Sequence, residues 1–276
     1  MNDCNAMLTA SHEFKLRDCW PLKEKRVYSK VKRKYATGFD ALMADYIVYY
    51  TARPEAMNPA AVLVPESVIA NITEDAPVEL DGQSLLLGRH KLDFAGELPS
   101  LKPARELNHE RIQENLLSLQ ANIKLFGRNS LAKELIPGCS SGEMVLAEAE
   151  ELLLENEPDL QKLSRFIGVG EGLTPTFDDL LCGMLLADRL SGLRQMNFPE
   201  SFFAEIPQKT TAQAAQQIRF ADQGFLNPEC ERFVIDFVSQ KIKASQILKV
   251  THMGHSSGTD ILCGVWLYFA KKVKLK

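Results

Sequence analysis

No two cysteines stand as C-x-x-C, no glycine-rich loop ends in the Walker lysine, and no G-x-G-x-x-G follows a strand-like run. These absences exclude the usual sequence marks of a thiol redox pair, a P-loop and a dinucleotide-binding turn. Histidine is scarce, at five residues, and tryptophan scarcer, at two. No apolar run approaches the ~20 residues of a membrane span. The first residues carry Asp3, His12 and Glu13 without an apolar stretch, so no signal peptide and a cytoplasmic location are expected. The six cysteines, Cys4, Cys19, Cys139, Cys182, Cys230 and Cys263, are expected as reduced thiols, since a chain of this size does not need disulfides. Excess positive charge is missing too: the formal net charge is −4. The nearest thing to a basic patch, Lys23 to Lys34, alternates with apolar residues as a solvated strand face does. Nucleic-acid and membrane partners are therefore not expected.

What is present is the composition of a soluble globular chain, 45% hydrophobic and 25% charged over 276 residues. The character of the chain changes near Pro99 and Pro103. The expected fold class is α+β, with a β-rich N-terminal domain over 1–103 and a mostly α-helical domain over 104–276. Val27, Val31 and Tyr35, set against Ser29 and Arg33, predict a half-buried strand. Tyr46–Thr51 is a dense β-branched and aromatic run. Ala61–Val64 and Val68–Ile72 read as short strands, or as a strand plus a turn, around Pro65. Asp81-Gly82 between Pro77–Leu80 and Gln83–Leu87 predicts a tight hairpin, and His90–Phe94 adds an edge. Beyond Ala104, helical spacing carries Ile112 to Gly127, a short helix over Asn129–Leu135, and a helix from Ser141 to about Glu155. Helices also read over Phe202–Phe220, from Pro228, and from Asp260 to Lys274.

The chain is organised around Gly168 to Gly183, G-V-G-E-G-L-T-P-T-F-D-D-L-L-C-G. Gly168, Gly170 and Gly172 permit a tight turn into a helix, whose first N–H groups form a ready anion site. The adjacent Asp178 and Asp179 alternatively suit a divalent cation. The simplest reading is capping: Thr176 three residues before Asp179 fits the hydroxyl-x-x-acid pattern of a helix start.

A second stretch matches the first. Aligned without gaps, Asp179–Gly183 falls on Asp260–Gly264, an offset of 260 − 179 = 81 residues. Thr176 then falls on Ser257 and Asp178 on Thr259. Each segment is a glycine-containing polar turn, a hydroxyl, an acid, and an apolar helix bearing Cys-Gly. A glycine inside a helix costs about 1 kcal/mol relative to alanine, so its presence in both points to close helix approach. The two helix starts are expected to be related and to face one pocket. His255 lies beside Ser256, Ser257 and Asp260 and is the better candidate of the H-x-x-H pair with His252. Cys182 and Cys263, at matching positions, read as core.

With these residues quoted, the chain resembles a bacterial family once labelled a domain of unknown function. Its best-identified member is the third, accessory-named subunit of oxamate carbamoyltransferase, from allantoin degradation. The resemblance rests on Gly168–Asp179, on Gly254–Asp260, and on the Arg-aromatic-Ala-x-Gln-Gly-aromatic run at Arg219–Phe225. Glu171 stands where the family usually has proline, and Phe177 where it often has a small residue. The resemblance implies a subunit of a carbamoyltransferase complex that interconverts oxalurate plus phosphate with oxamate plus carbamoyl phosphate, or a related ureido substrate. It implies catalytic roles for Asp178, Asp179, His255 and Asp260. Small-anion binding falls to Gly168, Gly170, Gly172, Thr174, Thr176, Arg219, Gln223, Gly254, Ser256, Ser257 and Gly258. Asp178, Asp179 and Asp260 are the candidate ligands of a Mg²⁺ ion. Two alternatives stay open: a metal-dependent hydrolase resembling the ADP-ribosylglycohydrolases, and a non-catalytic interaction subunit.

Overall fold

Alternating side chains in the first hundred residues close a sheet upon itself. The computed structural model describes residues 12–22, 26–81, 83–104, 106–139 and 145–272. The chain divides into two compact units, Met1–Ser100 and Leu101–Lys276. Cys4, the Lys23–Lys25 part of the basic stretch, the hairpin residue Gly82, the Ser141 helix start and Lys274 lie outside the described residues.

The first unit is an eight-stranded closed barrel: β1 (His12–Arg17), β2 (Val27–Tyr35), β3 (Gly38–Met43), β4 (Tyr46–Thr51), β5 (Ala61–Leu63), β6 (Pro77–Leu80), β7 (Ser84–Leu87) and β8 (His90–Leu98). The order around it is β1-β5-β4-β3-β2-β6-β7-β8. Closure comes from β1 running parallel to β8, with Phe14 opposite Phe94. Full closure leaves no unpaired edge. Phe14, Val31, Phe39, Ala41, Val48 and Tyr50 are fully buried or nearly so, and Phe39 stacks on Tyr50 at 4.7 Å. The buried guanidinium of Arg17 donates to the carbonyl of Met57 and the hydroxyl of Ser100, each at 3.3 Å.

Several expectations change here. β8 is no edge; it pairs with both β7 and β1. Val68 to Ile72 is not a strand: helix α1 (Glu66–Asn71) starts behind Pro65, with Val68 and Ile69 inward. A short apolar run fits either element by pattern alone, and the proline decides. In β2 the solvent face is Tyr28, Lys30, Lys32 and Lys34. Val27, Ser29, Val31 and Arg33 share parity, so they do not oppose one another, and a bulge between Val31 and Arg33 resets the register. The hairpin at 81–83 is held by Asp81, whose carboxylate accepts from the N–H groups of Gln83 and Ser84.

The second unit is helical: α2 (His109–Phe126), α3 (Ala147–Leu154), α4 (Leu160–Leu163), α5 (Thr176–Ser191), α6 (Glu200–Glu205), α7 (Ala212–Asp222), α8 (Pro228–Ser239), α9 (Ala244–Thr251) and α10 (Ser257–Leu267). A 3-10 turn covers Ala132–Leu135, and a π-turn at Tyr268–Lys272 extends α10. Every residue of α5 is buried, as is every residue of α10 from Gly258 onward, which makes this pair the centre of the core. A helix buried on every side in this way is stable only when wrapped by others. Phe202–Phe220 is not one helix; Pro207 sits in a 3-10 turn that separates α6 from α7, as a proline without an N–H does in a helix interior.

Candidate functional site

α5 and α10 touch backbone to backbone. A Cβ on Gly183 would lie 2.1 Å from the carbonyl oxygen of Ile261, and one on Gly264 would lie 2.1 Å from that of Leu180. The 81-residue offset carries Leu180 to Ile261 and Gly183 to Gly264, so the contact is reciprocal. The internal repeat read in the sequence is thus a pseudo-two-fold helix crossing, and the two glycines are what allow it.

The preceding turns and both helix starts open on one cleft of about 1110 Å³. Gly170, Glu171, Gly172, Thr174 and Thr176 line it from one side, and Gly254, His255, Ser256 and Ser257 from the other. The Thr174 and Ser257 hydroxyls meet across it at 2.8 Å. Gly170 has φ of 122°, and a Cβ there would lie 2.3 Å from the Thr176 nitrogen, so only glycine fits this turn. Thr176 and Ser257 are first helical residues rather than caps: Pro175 and Ser256 hold the cap positions, and neither makes a side-chain cap bond. The expected capping box at Thr176–Asp179 is therefore absent, and its hydroxyl lines the cleft instead.

Behind the lining sit the acids. Asp179 is 1% exposed and Asp260 fully buried. One oxygen of Asp179 and both of Asp260 lack a hydrogen-bond partner. Burial pushes the Asp179 carboxyl up to about 8; the Ser257 and Thr174 hydroxyls pull the other way, and the charges of Asp260 and Asp178 add to the rise. Burial likewise raises Asp260 to about 7, and the Ser130 and Ser256 hydroxyls, which lie near it without meeting hydrogen-bond geometry, offset this only in part. A buried carboxylate without partners is costly, so both acids hold their proton to higher pH than an exposed aspartate does. Asp178 differs: it accepts from the Gly168 N–H at 2.9 Å and from the Thr210 hydroxyl, while burial raises its carboxyl more modestly.

Among the described residues no group of three or more His, Cys, Asp or Glu is arranged to hold a metal ion. Asp178 accepts from the Gly168 N–H and the Thr210 hydroxyl.

Other sequence candidates lie elsewhere. Arg219 pairs with Glu200 at 2.6 Å and stacks over Phe203; neither it nor the exposed Gln223 lines the cleft. The Arg219–Phe225 run instead anchors α5: the Arg189 guanidinium donates to the Asp222 carbonyl at 2.7 Å and to its carboxylate at 2.5 Å. Gly258 serves packing, since a Cβ there would meet the Val250 carbonyl oxygen at 1.7 Å. His255 is exposed on the cleft, whereas the His252 ring bonds the Leu248 carbonyl oxygen at 2.6 Å. Gly254–Gly258 has the spelling G-x-S-x-G, but α9 precedes it, not a strand, so it is no nucleophile elbow.

Sequence reasoning missed Asn129, Ser130, Lys133 and Gln213, which also line the cleft. Lys133 is the one Lys or Arg among its described lining residues, and it donates to the Gly127 carbonyl at 2.8 Å. Nothing local marks these positions; they arrive through the turn that follows α2 and through α7.

No solved structure matches the chain. Among the described residues, no helix is long and apolar enough to cross a membrane. Residues 166–269, which hold both helix starts and the crossing between them, match the model of one family. That family is described as oxamate carbamoyltransferase subunit AllH, and this part of the chain is similar to it.

Proposed function

We propose that this chain works as a subunit of a carbamoyltransferase, with the cleft between the starts of α5 and α10 binding a small oxyanion such as oxamate, oxalurate or phosphate. The observation that carries the reading is the pair of buried carboxyls, Asp179 and Asp260, with unpartnered oxygens directly behind a lining of hydroxyls. Ionised, they would repel an anion. Protonated, they donate, and the hydroxyls they touch are free to turn their own O–H groups into the cleft. Two helix N-termini add the positive ends of two dipoles, while the Phe177, Gly258 and Thr259 N–H groups already bond the carbonyls of Val169, Met253 and Ser256. The lining itself is not basic, with Lys133 set against Glu134 and Glu171. Anion affinity therefore comes from oriented donors rather than net charge.

Such donors also stabilise charge that develops on a carbamoyl oxygen during transfer. Between oxalurate and phosphate, the carbamoyl C–N bond breaks and a C–O bond to phosphate forms. A proton then reaches the nitrogen of departing oxamate. His255, exposed on the cleft, is the residue placed to handle that proton. Companion subunits are part of the reading, because the family is described as a subunit.

Thermal stabilisation of the purified chain by oxamate, oxalurate, phosphate and carbamoyl phosphate tests it. A ligand at about 100 times its Kd adds about 2.7 kcal/mol. Stabilisation lost in Asp260→Ala and kept in Asp260→Asn at pH 7 is the expected result. Stabilisation by none of the four, alone or with the companion subunits, would sink the reading.

A further inference from the structure

We propose that Glu171 sets the specificity of the cleft, by accepting a hydrogen bond from the amide N–H of a ligand that carries a carboxamide or ureido group beside its carboxylate. This rests on the reading of the cleft as an anion site. A carboxylate at the lip of such a site works against anions, so its presence there calls for a ligand that also donates. Glu171 lines the cleft and is exposed, and among the described residues nothing hydrogen-bonds to or pairs with its side chain. The turn that carries it is nonetheless tied down on both sides. Before it, the Asp178 carboxylate accepts the Gly168 N–H at 2.9 Å, and the Val169 carbonyl accepts the Phe177 N–H at 3.0 Å. After it, the Leu173 carbonyl accepts from the Thr211 hydroxyl at 2.5 Å. Gly168 has φ of 86°, and a Cβ there would lie 2.4 Å from the Lys209 carbonyl oxygen, so the turn is seated directly on the backbone ahead of α7. Glu171 is thus presented to the cleft from a fixed position.

The rest of the lining fits a ligand of mixed character. The hydroxyls of Thr176 and Ser257 suit a carboxylate, while Asn129 and Gln213 bring carboxamides that both donate and accept. An ionised glutamate only accepts. Toward an amide N–H it is a partner; toward a second carboxylate it is a like charge. Repulsion of this kind separates ligands that attraction alone cannot, and a site built around a ligand N–H rejects the analogue that lacks it. Oxamate and oxalate form such a pair. They differ by an amide nitrogen in place of a charged oxygen, so size and shape do not distinguish them. In the proposed transfer that nitrogen is the atom bonded to the carbamoyl group, and an acceptor for its N–H also holds it in place.

The test is calorimetric titration of the full chain with oxamate and with oxalate, at one pH and ionic strength, in wild type, Glu171→Ala and Glu171→Gln. An exposed turn position tolerates both substitutions, and an unchanged thermal midpoint verifies it. Loss of one acceptor costs about fivefold in affinity. Glu171→Ala should weaken oxamate by about that factor and strengthen oxalate by a similar one. Glu171→Gln keeps a carbonyl acceptor and loses the charge, so oxamate should stay within about twofold while oxalate strengthens about fivefold. If Glu171→Ala strengthens both anions, the residue acts only as a diffuse charge and the proposal is overturned. An oxamate-to-oxalate affinity ratio that neither substitution moves overturns it too, and in both cases the anion site still stands. If neither anion binds, with or without the companion subunits, the anion reading falls as well.

Discussion

The starts of α5 and α10 solve one structural problem with different side chains. At the equivalent positions 178 and 259 stand an aspartate and a threonine, yet both accept a backbone N–H from a loop that comes earlier in the chain. Asp178 takes the N–H of Gly168 at 2.9 Å, and Thr259 takes that of Arg128 at 3.0 Å. One position later the two starts agree again, with a buried acid lacking a full set of partners in each. The lesson is that the repeat preserves geometry where the helices cross and chemistry where they face the cleft, and lets identity drift between. A fully satisfied acid such as Asp178 explains itself as structure. Asp179 and Asp260 do not, and unsatisfied buried groups concentrate where function needs them.

The comparison breaks most severely at the crossing. Gly183→Val and Gly264→Val each force a side chain onto a carbonyl oxygen and should each cost more than about 3 kcal/mol in urea denaturation. Near-equal effects, and a double Gly→Ala variant less harmful than the sum, are expected because both substitutions push the same helices apart. Additive effects of unequal size would argue against a reciprocal contact.

Next in size is the pH dependence of stability. Asp179 and Asp260 are raised from an ordinary 3.8 to about 8 and about 7. The folded state therefore holds protons that the unfolded state releases. Their contribution is fully present below about pH 4 and is lost as pH rises, at up to ~1.4 kcal/mol per pH unit for each group. The loss levels off above about 7 for Asp260 and about 8 for Asp179. Asp179→Asn and Asp260→Asn should flatten this slope, raise the denaturation midpoint at pH 8, and do so over a wider range for Asp179. A wild-type slope equal to that of the Asn variants would remove the case for neutral acids.

The paired acceptors give smaller effects. Asp178→Ala strands the Gly168 N–H and the Thr210 hydroxyl and should cost about 2 kcal/mol, while Thr259→Val strands one N–H and should cost about 1 kcal/mol. Smallest is Arg219→Ala. Its exposed pair with Glu200 is worth roughly 0–1 kcal/mol, and oxamate and phosphate affinity should not change, as a thermal-shift titration would show.

Much of this was legible in the sequence. An apolar–polar pattern marked β2, though with its two faces misread, a dense β-branched and aromatic run marked β4, the Asp81-Gly82 turn marked the β6–β7 hairpin, and the 81-residue match identified the two central helices and their close approach. Barrel closure was not legible, because β1 meets β8 across nearly the whole unit and no local pattern records that pairing. Thr176 looked like a cap because the hydroxyl-x-x-acid spelling is shared by caps and by a hydroxyl that faces a cleft from the first helical position. Ser130 and Lys133 were invisible for a related reason: their neighbours in the chain say short helix, and only packing against α10 gives them a role. The Arg219–Phe225 run misled in the other direction, since its Asp222 serves the α5 anchor rather than a ligand.

The most direct test of the central claim is oxamate affinity of the whole chain from pH 6 to pH 9, in wild type and in the Asp179→Asn, Asp260→Asn double variant. Oxamate keeps its charge over this range, so any trend belongs to the protein. The account predicts wild-type affinity that weakens as pH passes about 7 and further as it passes about 8, and a flat profile in the double variant. Affinity that strengthens with pH, or that the Asn substitutions abolish at pH 7, would contradict it.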